Sequence, residues 1–273
     1  VSDAPFLEPT GRQLREEAFH DDWARSMDLD EILVKESFEA PTALENQYVR
    51  EQIGDLRGKR VLELGCGAGE GSVYFALQGA QVVATDISSG MIEISGRLAQ
   101  KYGVDIHAKK MTAEQIEYPE ASFDIVYGNG VLHHVDFKSA VREAARVLKP
   151  GGKAVFIEPL SYNPVINVYR RIAKTVRTPE ERPFKFKDLK EMYPYFRKGH
   201  HREFWFFTLL IFIYFYLIER ADPSKERYWK KVIKDAPRFS RMFRVLNAMD
   251  RVTLKVFPCF RPLCWNSVIV LEK

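Results

Sequence analysis

The residues best placed to do chemistry lie between Glu63 and Asp86. Gly65, Gly67 and Gly69 fall in GCGAGEG (65–71), after the apolar stretch RVLEL (60–64) and before a helical stretch. Glycines at a strand-to-helix turn let the backbone approach a ligand, and the amides of the following helix face it. Asp86 ends the next apolar stretch, QVVATD (81–86). A carboxylate at that point can take both hydroxyls of a ribose. A dinucleotide site would want G-x-G-x-x-G beneath a pyrophosphate. Here Glu70 stands at the third glycine, although Gly71 follows, and Glu63 precedes the turn. A carboxylate there repels a pyrophosphate and attracts an ammonium. The pattern suits a cationic nucleoside without phosphate. A tight strand-to-helix connection and a helix N-cap at Asp86 are the plainer readings of the same residues.

Three histidines are candidate general bases or acceptor-positioning groups: His20 in FHDDWA (19–24), and His133 and His134 after the strand FDIVYGNG (123–130). The last two fall on the edge where α/β sheets bind ligands. Ordinary packing and solvation are the alternatives for each. Glu158 and Tyr162 are weaker candidates to face an acceptor. No metal is expected. His200 and His201 are adjacent, which prevents their sharing an ion on a strand, and Cys259 and Cys264 lack matching partners. Cys66, inside the glycine turn, suits a small packing residue better than a nucleophile.

The elements that must position these groups alternate. Strands are expected over 60–64, 81–86, 105–110, 123–130 and 153–159, and helices over 71–78, 88–103 and 137–148, the last ended by Lys149-Pro150-Gly151-Gly152. Apolar strands alternating with helices indicate a parallel sheet covered on both faces. Residues 11–57 read as two or three short helices broken at Pro41. The uncharged run Phe204–Ile218 is 15 residues long. As a helix it would span only about 22 Å, short of a bilayer core. HREFWFF (201–207) reads as a sixth strand, TLLIFIYFYLIE (208–219) as a helix apolar nearly all round, and WNSVIVLEK (265–273) as a last strand.

Composition sets the frame. With 273 residues, 46% apolar and 29% charged, the chain can bury a sizeable core and is neither disordered nor polytopic. Residues 1–160 hold 17 Lys+Arg against 26 Asp+Glu, whereas residues 161–273 hold 24 against 11. The acidic half suits a small ligand and the basic half an anionic partner. Basic residues interleave with aromatic and aliphatic ones over 225–257. That mixture suits the interface of an anionic membrane. Nucleic acid is disfavoured, because no recognition module is visible. Solvated helices capping the sheet are the alternative. VSDAPFLEPTGRQLREE shows no secretory signal and the three cysteines form no disulfide framework, so a cytoplasmic setting is expected, with peripheral membrane attachment open.

VLELGCGAGEG, VVATDIS, FDIVYGNGVLHHV and ARVLKPGGKAVFIEP occur in that order over about residues 59–160. Together they resemble a class I S-adenosylmethionine-dependent methyltransferase, of the group containing the ubiquinone and menaquinone-biosynthesis enzymes. The resemblance implies a doubly wound, mostly parallel, seven-stranded α/β sheet of Rossmann-like type with its last strand antiparallel. It implies a helical lid over 1–57, a cofactor-binding core over 58–160, and an acceptor-side helical, aromatic and basic region over 161–273 that also supplies the final strands. The implied cofactor is S-adenosyl-L-methionine, with S-adenosyl-L-homocysteine as product. Glu63 would meet its amino group, Gly65 and Gly67 its methionine backbone, Asp86 its ribose and Ile87 its adenine. Thr112, Ala113 and Glu114 match the loop at the adenine edge, with Thr112 where the family usually has an acid. Asn129 and Gly130 would face the sulfonium, and Cys66 and Met91 are counted with the cofactor contacts. Methyl transfer from a sulfonium is an in-line displacement that needs alignment and, for some acceptors, a base. His133, His134 and His20 are the residues for that task. The expected acceptor is hydrophobic or lipid-like, a phospholipid headgroup amine for example, met at a membrane surface. A soluble enzyme for an aromatic, quinone or natural-product acceptor is one alternative, and a non-catalytic cofactor-binding scaffold is another.

Overall fold

The computed structural model describes residues 9–172, 177–178 and 181–273. The start of the segment read for a signal, residues 1–8, lies outside the described residues. Seven strands form one sheet: β1 (Arg60–Leu64), β2 (Gln81–Asp86), β3 (Ile106–Lys110), β4 (Phe123–Asn129), β5 (Leu148–Pro159), β6 (Lys198–Phe204) and β7 (Asn266–Glu272). Their order is β3-β2-β1-β4-β5-β7-β6. β1 to β5 pair in parallel, and β7 runs antiparallel to β5 and β6. The parallel pairing expected from the strand–helix alternation is observed, as is the doubly wound, mostly parallel, seven-stranded sheet with an antiparallel last strand that the resemblance implies.

Alternation along each strand divides the core into two layers. Val61, Val82 and Ile125 face one layer, while their successors Leu62, Val83 and Val126 face the other. The first layer is closed by α3 (Leu44–Ile53), α4 (Glu70–Leu77) and α5 (Ser89–Tyr102), through Val49, Val73, Phe75, Ile94 and Leu98. The second is closed by α6 (Phe137–Val147) and the short α8 (Leu189–Met192), through Val141, Ala144 and Met192. Burial on both faces is why the central strands read as near-continuous apolar runs.

The N-terminal segment supplies α1 (Gly11–Arg25), α2 (Glu36–Glu39) and α3, with the break at Pro41 as expected. Thr10 and Gln13 form a capping box at the start of α1. α1 lies across the start of α5. Asp21 accepts from the Gly90 amide at 2.9 Å and from Ser88 Oγ at 2.5 Å. A Cβ at Gly90 would approach the Ala24 methyl to 2.9 Å, so a glycine is what allows the two helices to meet. Arg12 bonds Glu114 at 2.7 Å, and Lys110 pairs with Glu17. These contacts pin α1 beside the C-terminal ends of the parallel strands.

Two boundaries differ from the expectations. β5 begins at Leu148, because Lys149-Pro150-Gly151-Gly152 stays in the strand. The pairing slips from Phe123↔Leu148 to Ile125↔Lys153, and the Gly151 and Lys273 backbones hold the bulge. β6 spans Lys198–Phe204 instead of 201–207, because Trp205 adopts a positive φ of 69° and ends it. Beyond it come a 3-10 turn (Phe207–Leu209), α9 (Leu210–Leu217), α10 (Tyr228–Lys234) and the 21-residue α11 (Ala236–Val256). α7 (Pro164–Ile172) follows β5.

The uncharged run is therefore one strand end, one turn and one short helix. Among the described residues no helix is long and apolar enough to cross a membrane. α9 buries Ile211, Phe212 and Phe215 while leaving Leu210, Tyr216 and Leu217 exposed. Its buried rings join Trp205, Tyr228, Phe239, Phe243 and Trp265 in ring contacts 5.0 to 5.5 Å apart between centroids. Asp250 of α11 ties this cluster to the turn before α9. It accepts from Thr208 Oγ1 at 2.7 Å and from the Phe207 amide at 2.5 Å. Asp250→Ala leaves those buried donors without an acceptor. It should lower unfolding stability by about 2–3 kcal/mol, measured by urea denaturation, with the sheet signal intact below the transition.

Candidate functional site

The sheet order reverses at β1, whose following loop departs to one face while the loop after β4 departs to the other. Crevices form at such points, beyond the carboxyl ends of the strands. A cavity of about 980 Å3 opens there. α1 and the region around α10 supply its outer walls.

One end of the cavity is acidic and glycine-rich. Glu63, Gly65, Cys66 and Gly67 line it from β1 and its turn, and Asp86 and Ile87 line it from the end of β2. Thr112, Ala113 and Glu114 come from the loop after β3, and Asn129 and Gly130 from the end of β4. Met91 does not line it. That side chain is fully buried in the first core layer, because residue 91 lies on the inward face of α5 and its amide is engaged by the Ser88 cap. Glu114 is held on both sides, by Arg12 and by the Asp136 amide at 3.0 Å, so it locks α1 to this loop.

Glu63 is fully buried and bonds Ser72 at the start of α4. A Cβ at Gly71 would collide with its carboxylate. Burial pushes Glu63 up to about 8, against the Ser72 hydrogen bond. Asp86 accepts from the Gly67 amide and the Ser88 amide, both at 2.9 Å, and burial raises its pKa. Asp86 therefore shapes the glycine turn as well as lining the cavity. Burial likewise raises the Cys66 thiol, which keeps it a neutral packing group. Two buried carboxylates flanking a glycine turn suit a cation with hydroxyls and an ammonium. The donor set thus fits S-adenosylmethionine and opposes a pyrophosphate.

Beyond this acidic end stand the histidines. His20 reaches the cavity from α1, and His133 and His134 from the loop after β4. The His133 and His134 rings are 4.1 Å apart between centroids, and His20 and His134 are 5.9 Å apart. His133 Nδ1 lies 2.7 Å from Glu158, which also accepts from the Leu132 amide at 2.7 Å. Glu158 does not face the cavity. Its side chain points into the loop and orients His133, so Nε2 is the nitrogen through which His133 could act. Burial raises Glu158 to about 8 and holds His133 well below its ordinary value. Tyr162 is on the outer surface and accepts from the Phe186 amide.

Glu16, absent from the sequence-based candidates, sits between the other two histidines. It lies 3.1 Å from His134 Nδ1 and 3.7 Å from His20 Nε2, and accepts from Thr178 at 2.6 Å. The hydrogen bond to His134 and the charge around it hold Glu16 below the usual carboxylate range, despite burial that opposes this. Glu16, His20 and His134 place donor atoms within 4.8 Å of one another, as do His133, His134 and Glu181. Either group has the donor spacing to hold a divalent cation, a juxtaposition that spacing along the chain does not show. The E-x-x-x-H pair at 16–20 was the local signal. The third ligand comes from a distant loop and carried none. Other cavity-lining groups that the sequence did not single out as site residues are Glu45, Arg170 and Arg177, and Arg227 was read only as part of a basic stretch.

Comparison with known proteins agrees with this geometry. Residues 62–156 match a family described as a methyltransferase domain. The ubiquinone biosynthesis O-methyltransferase of Alkalilimnicola ehrlichii is 35% identical over 119 residues, covering 43% of this chain and 48% of that protein. The uncharacterized methyltransferase YcgJ of Bacillus subtilis is 32% identical over 123 residues, covering 44% and 49%. The chain thus spans about half the length of the curated relatives it matches. The crystal structure of YcgJ shares the fold, with a TM-score of 0.54 at 21% identity over 84% of this chain and 97% of that one. Residues 62–156 are a methyltransferase domain, set in the Rossmann-like sheet of the class I S-adenosylmethionine-dependent methyltransferases and similar in sequence to the ubiquinone-biosynthesis group.

Proposed function

We propose that this protein transfers a methyl group from S-adenosylmethionine to a hydrophobic or lipid-like acceptor met at a membrane surface, releasing S-adenosylhomocysteine. The observation that carries the reading is the pair of buried carboxylates, Glu63 and Asp86, on either side of the glycine turn and within one cavity with three histidines. S-adenosylmethionine supplies an already activated methyl group, so the protein's share is alignment and proton removal. Glu63 binds the ammonium. Gly65 and Gly67 offer backbone, and Asp86 takes the ribose hydroxyls. Ile87, Thr112 and Ala113 border the adenine, and Asn129 and Gly130 border the reacting end. α1 acts as a lid, held by Asp21, Glu17 and Arg12. His134, paired with Glu16, and His133, oriented by Glu158, are placed to take a proton from the acceptor.

The exposed side of α11 supports the membrane part. Met242, Val245, Met249, Val252 and Val256 follow one another at three- and four-residue steps and are 41%, 62%, 43%, 63% and 60% exposed. Arg241, Arg244, Arg251 and Lys255 are exposed beside them, and the helix's one acid, Asp250, is buried. An apolar stripe flanked by cations suits an anionic lipid surface. The name of the similar O-methyltransferases favours a quinone-like ring as acceptor, and a phospholipid headgroup amine is a second acceptor of the same hydrophobic kind.

Incubation with methyl-labelled S-adenosylmethionine and a cell extract should put label into the organic phase. Label confined to the aqueous phase would make the lipid-like acceptor wrong. Asp86→Ala should weaken S-adenosylhomocysteine binding by about 1.5–3 kcal/mol in calorimetry, and unchanged affinity would refute the ribose assignment. In the empty site Glu63, raised to about 8, holds its proton at neutral pH. A bound ammonium favours its ionised form, so binding should release a proton and tighten as pH rises from 6 to 7.5. Calorimetry in buffers of different ionisation enthalpy reads this release, which Glu63→Gln should abolish. On flotation the protein should rise with vesicles containing phosphatidylglycerol, and Met249→Glu with Val252→Glu should remove it from them. A wild type that ignores anionic vesicles would rule out the membrane surface.

A further inference from the structure

Two guanidinium groups in the cavity form no ion pair among the described residues. Arg170, in α7, and Arg227, just before α10, both line it. In each, Nη1 is buried with no hydrogen-bond partner among the described residues. Burial, joined at Arg170 by the charge of Arg177, lowers both groups to about 10, against the opposing action of Glu158 on Arg170 and of Tyr169 and Glu70 on Arg227. Arg227 lies over the Trp23 ring, 3.2 Å from its centroid, which holds the group in place without neutralising it. Arg177 pairs with Glu181, and Arg177 and Arg227 both act on the Tyr169 hydroxyl. Three guanidinium groups therefore share this part of the wall with Glu181, which pairs with Arg177, while Glu158 acts on Arg170 and Glu70 on Arg227 from further off. An unpaired buried cation weakens a fold. Such groups are explained when a ligand completes them, and the planar guanidinium fork matches the geometry of an oxyanion.

The histidines share the cavity with both sets of charges. Asp86 and Arg227 both act on His20, while Arg170 and Arg177 act on His133. An anionic acceptor is drawn to the arginines, which share the cavity with the histidines. Ile166 and Trp229 also line the cavity and offer it apolar wall.

We propose that the acceptor carries a phosphate or carboxylate oxyanion, and that Arg170 and Arg227 bind it in the cavity. That the anion belongs to the acceptor rests on the methyl-transfer reading, whereas the anion site itself does not. The site is tested by calorimetry on protein loaded with S-adenosylhomocysteine, using inorganic phosphate, decyl phosphate, decanoate and decyltrimethylammonium as probes. An anionic probe should bind and the ammonium should not. Decyl phosphate at least tenfold tighter than inorganic phosphate would support the site and identify a lipid headgroup. Equal affinity would support the site and identify a small soluble anion. Arg170→Gln and Arg227→Gln should each weaken the anionic probe at least tenfold and change S-adenosylhomocysteine affinity less than twofold. Arg170→Gln should not melt below the wild type, because it removes an unpaired buried charge, whereas Arg227→Gln also gives up the Trp23 contact; phosphate should raise the melting temperature of the wild type more than that of either variant. No anion binding to protein that binds S-adenosylhomocysteine would overturn the proposal, as would undiminished binding by both variants or equal binding of the ammonium. Failure to bind S-adenosylhomocysteine would remove the methyl-transfer reading instead, and the same titration on unloaded protein would still decide the anion site.

Discussion

A carboxylate buried where a strand ends is the constraint around which this molecule is arranged. Glu63 is the penultimate residue of β1 and is removed from water, so its charge must be met by hydrogen bonds, by a cation or by a proton. Ser72 at the start of α4 meets one oxygen, which fixes the helix directly over the strand end. Gly71 is bare because the carboxylate occupies the space a Cβ would need. Asp86, one strand away, holds the intervening turn through the Gly67 amide. The turn is thus shaped by the same acids that line the cavity, and the site and the local fold share one set of contacts.

Charge also organises the cavity at larger scale. The acids sit at the ends of β1 and β2, and the arginines sit on segments that arrive after the parallel strands are complete. Between them, Glu16, His20 and His134 come from α1 and from the loop after β4, and they meet because α1 is tied across the start of α5. Burial of Glu158 behind that loop has a different effect. It aims one ring without itself reaching the cavity. Polar groups in such a network are held at the cost of desolvation, which is why their protonation departs so far from that of free side chains.

The basic, aromatic third of the chain divides along one helix. The inward side of α11 presents Phe239 and Phe243 to the ring cluster and Asp250 to the turn before α9. The other side presents aliphatic residues and cations to the outside. A single amphipathic helix therefore fastens the C-terminal region to the sheet and gives the molecule an apolar, positively charged exterior.

Much of the sheet was legible in the sequence, because apolar strands and capped helices are local patterns. RVLEL, QVVATD and FDIVYGN are runs that only double burial explains, and the glycine turn with Asp86 marked residues that line one cavity. Boundaries that depended on distant partners were not legible. Lys149 to Gly152 reads as a helix stop, and only pairing with β4 and β7 keeps it in a strand. Met91 follows a helix cap as a contact residue would, yet the rotation of α5 buries it. The E-x-x-x-H pair in α1 was visible but without meaning until His134 arrived from over a hundred residues away. The buried guanidinium groups had no local signal at all, since arginine on a polar stretch looks the same whether solvated or enclosed. Short-range periodicity determined the elements and the glycine turn. The rest of the cavity, by contrast, depends on which charges are left in one enclosed space without partners, and only the packing of α1, α7 and α10 around the sheet decided that.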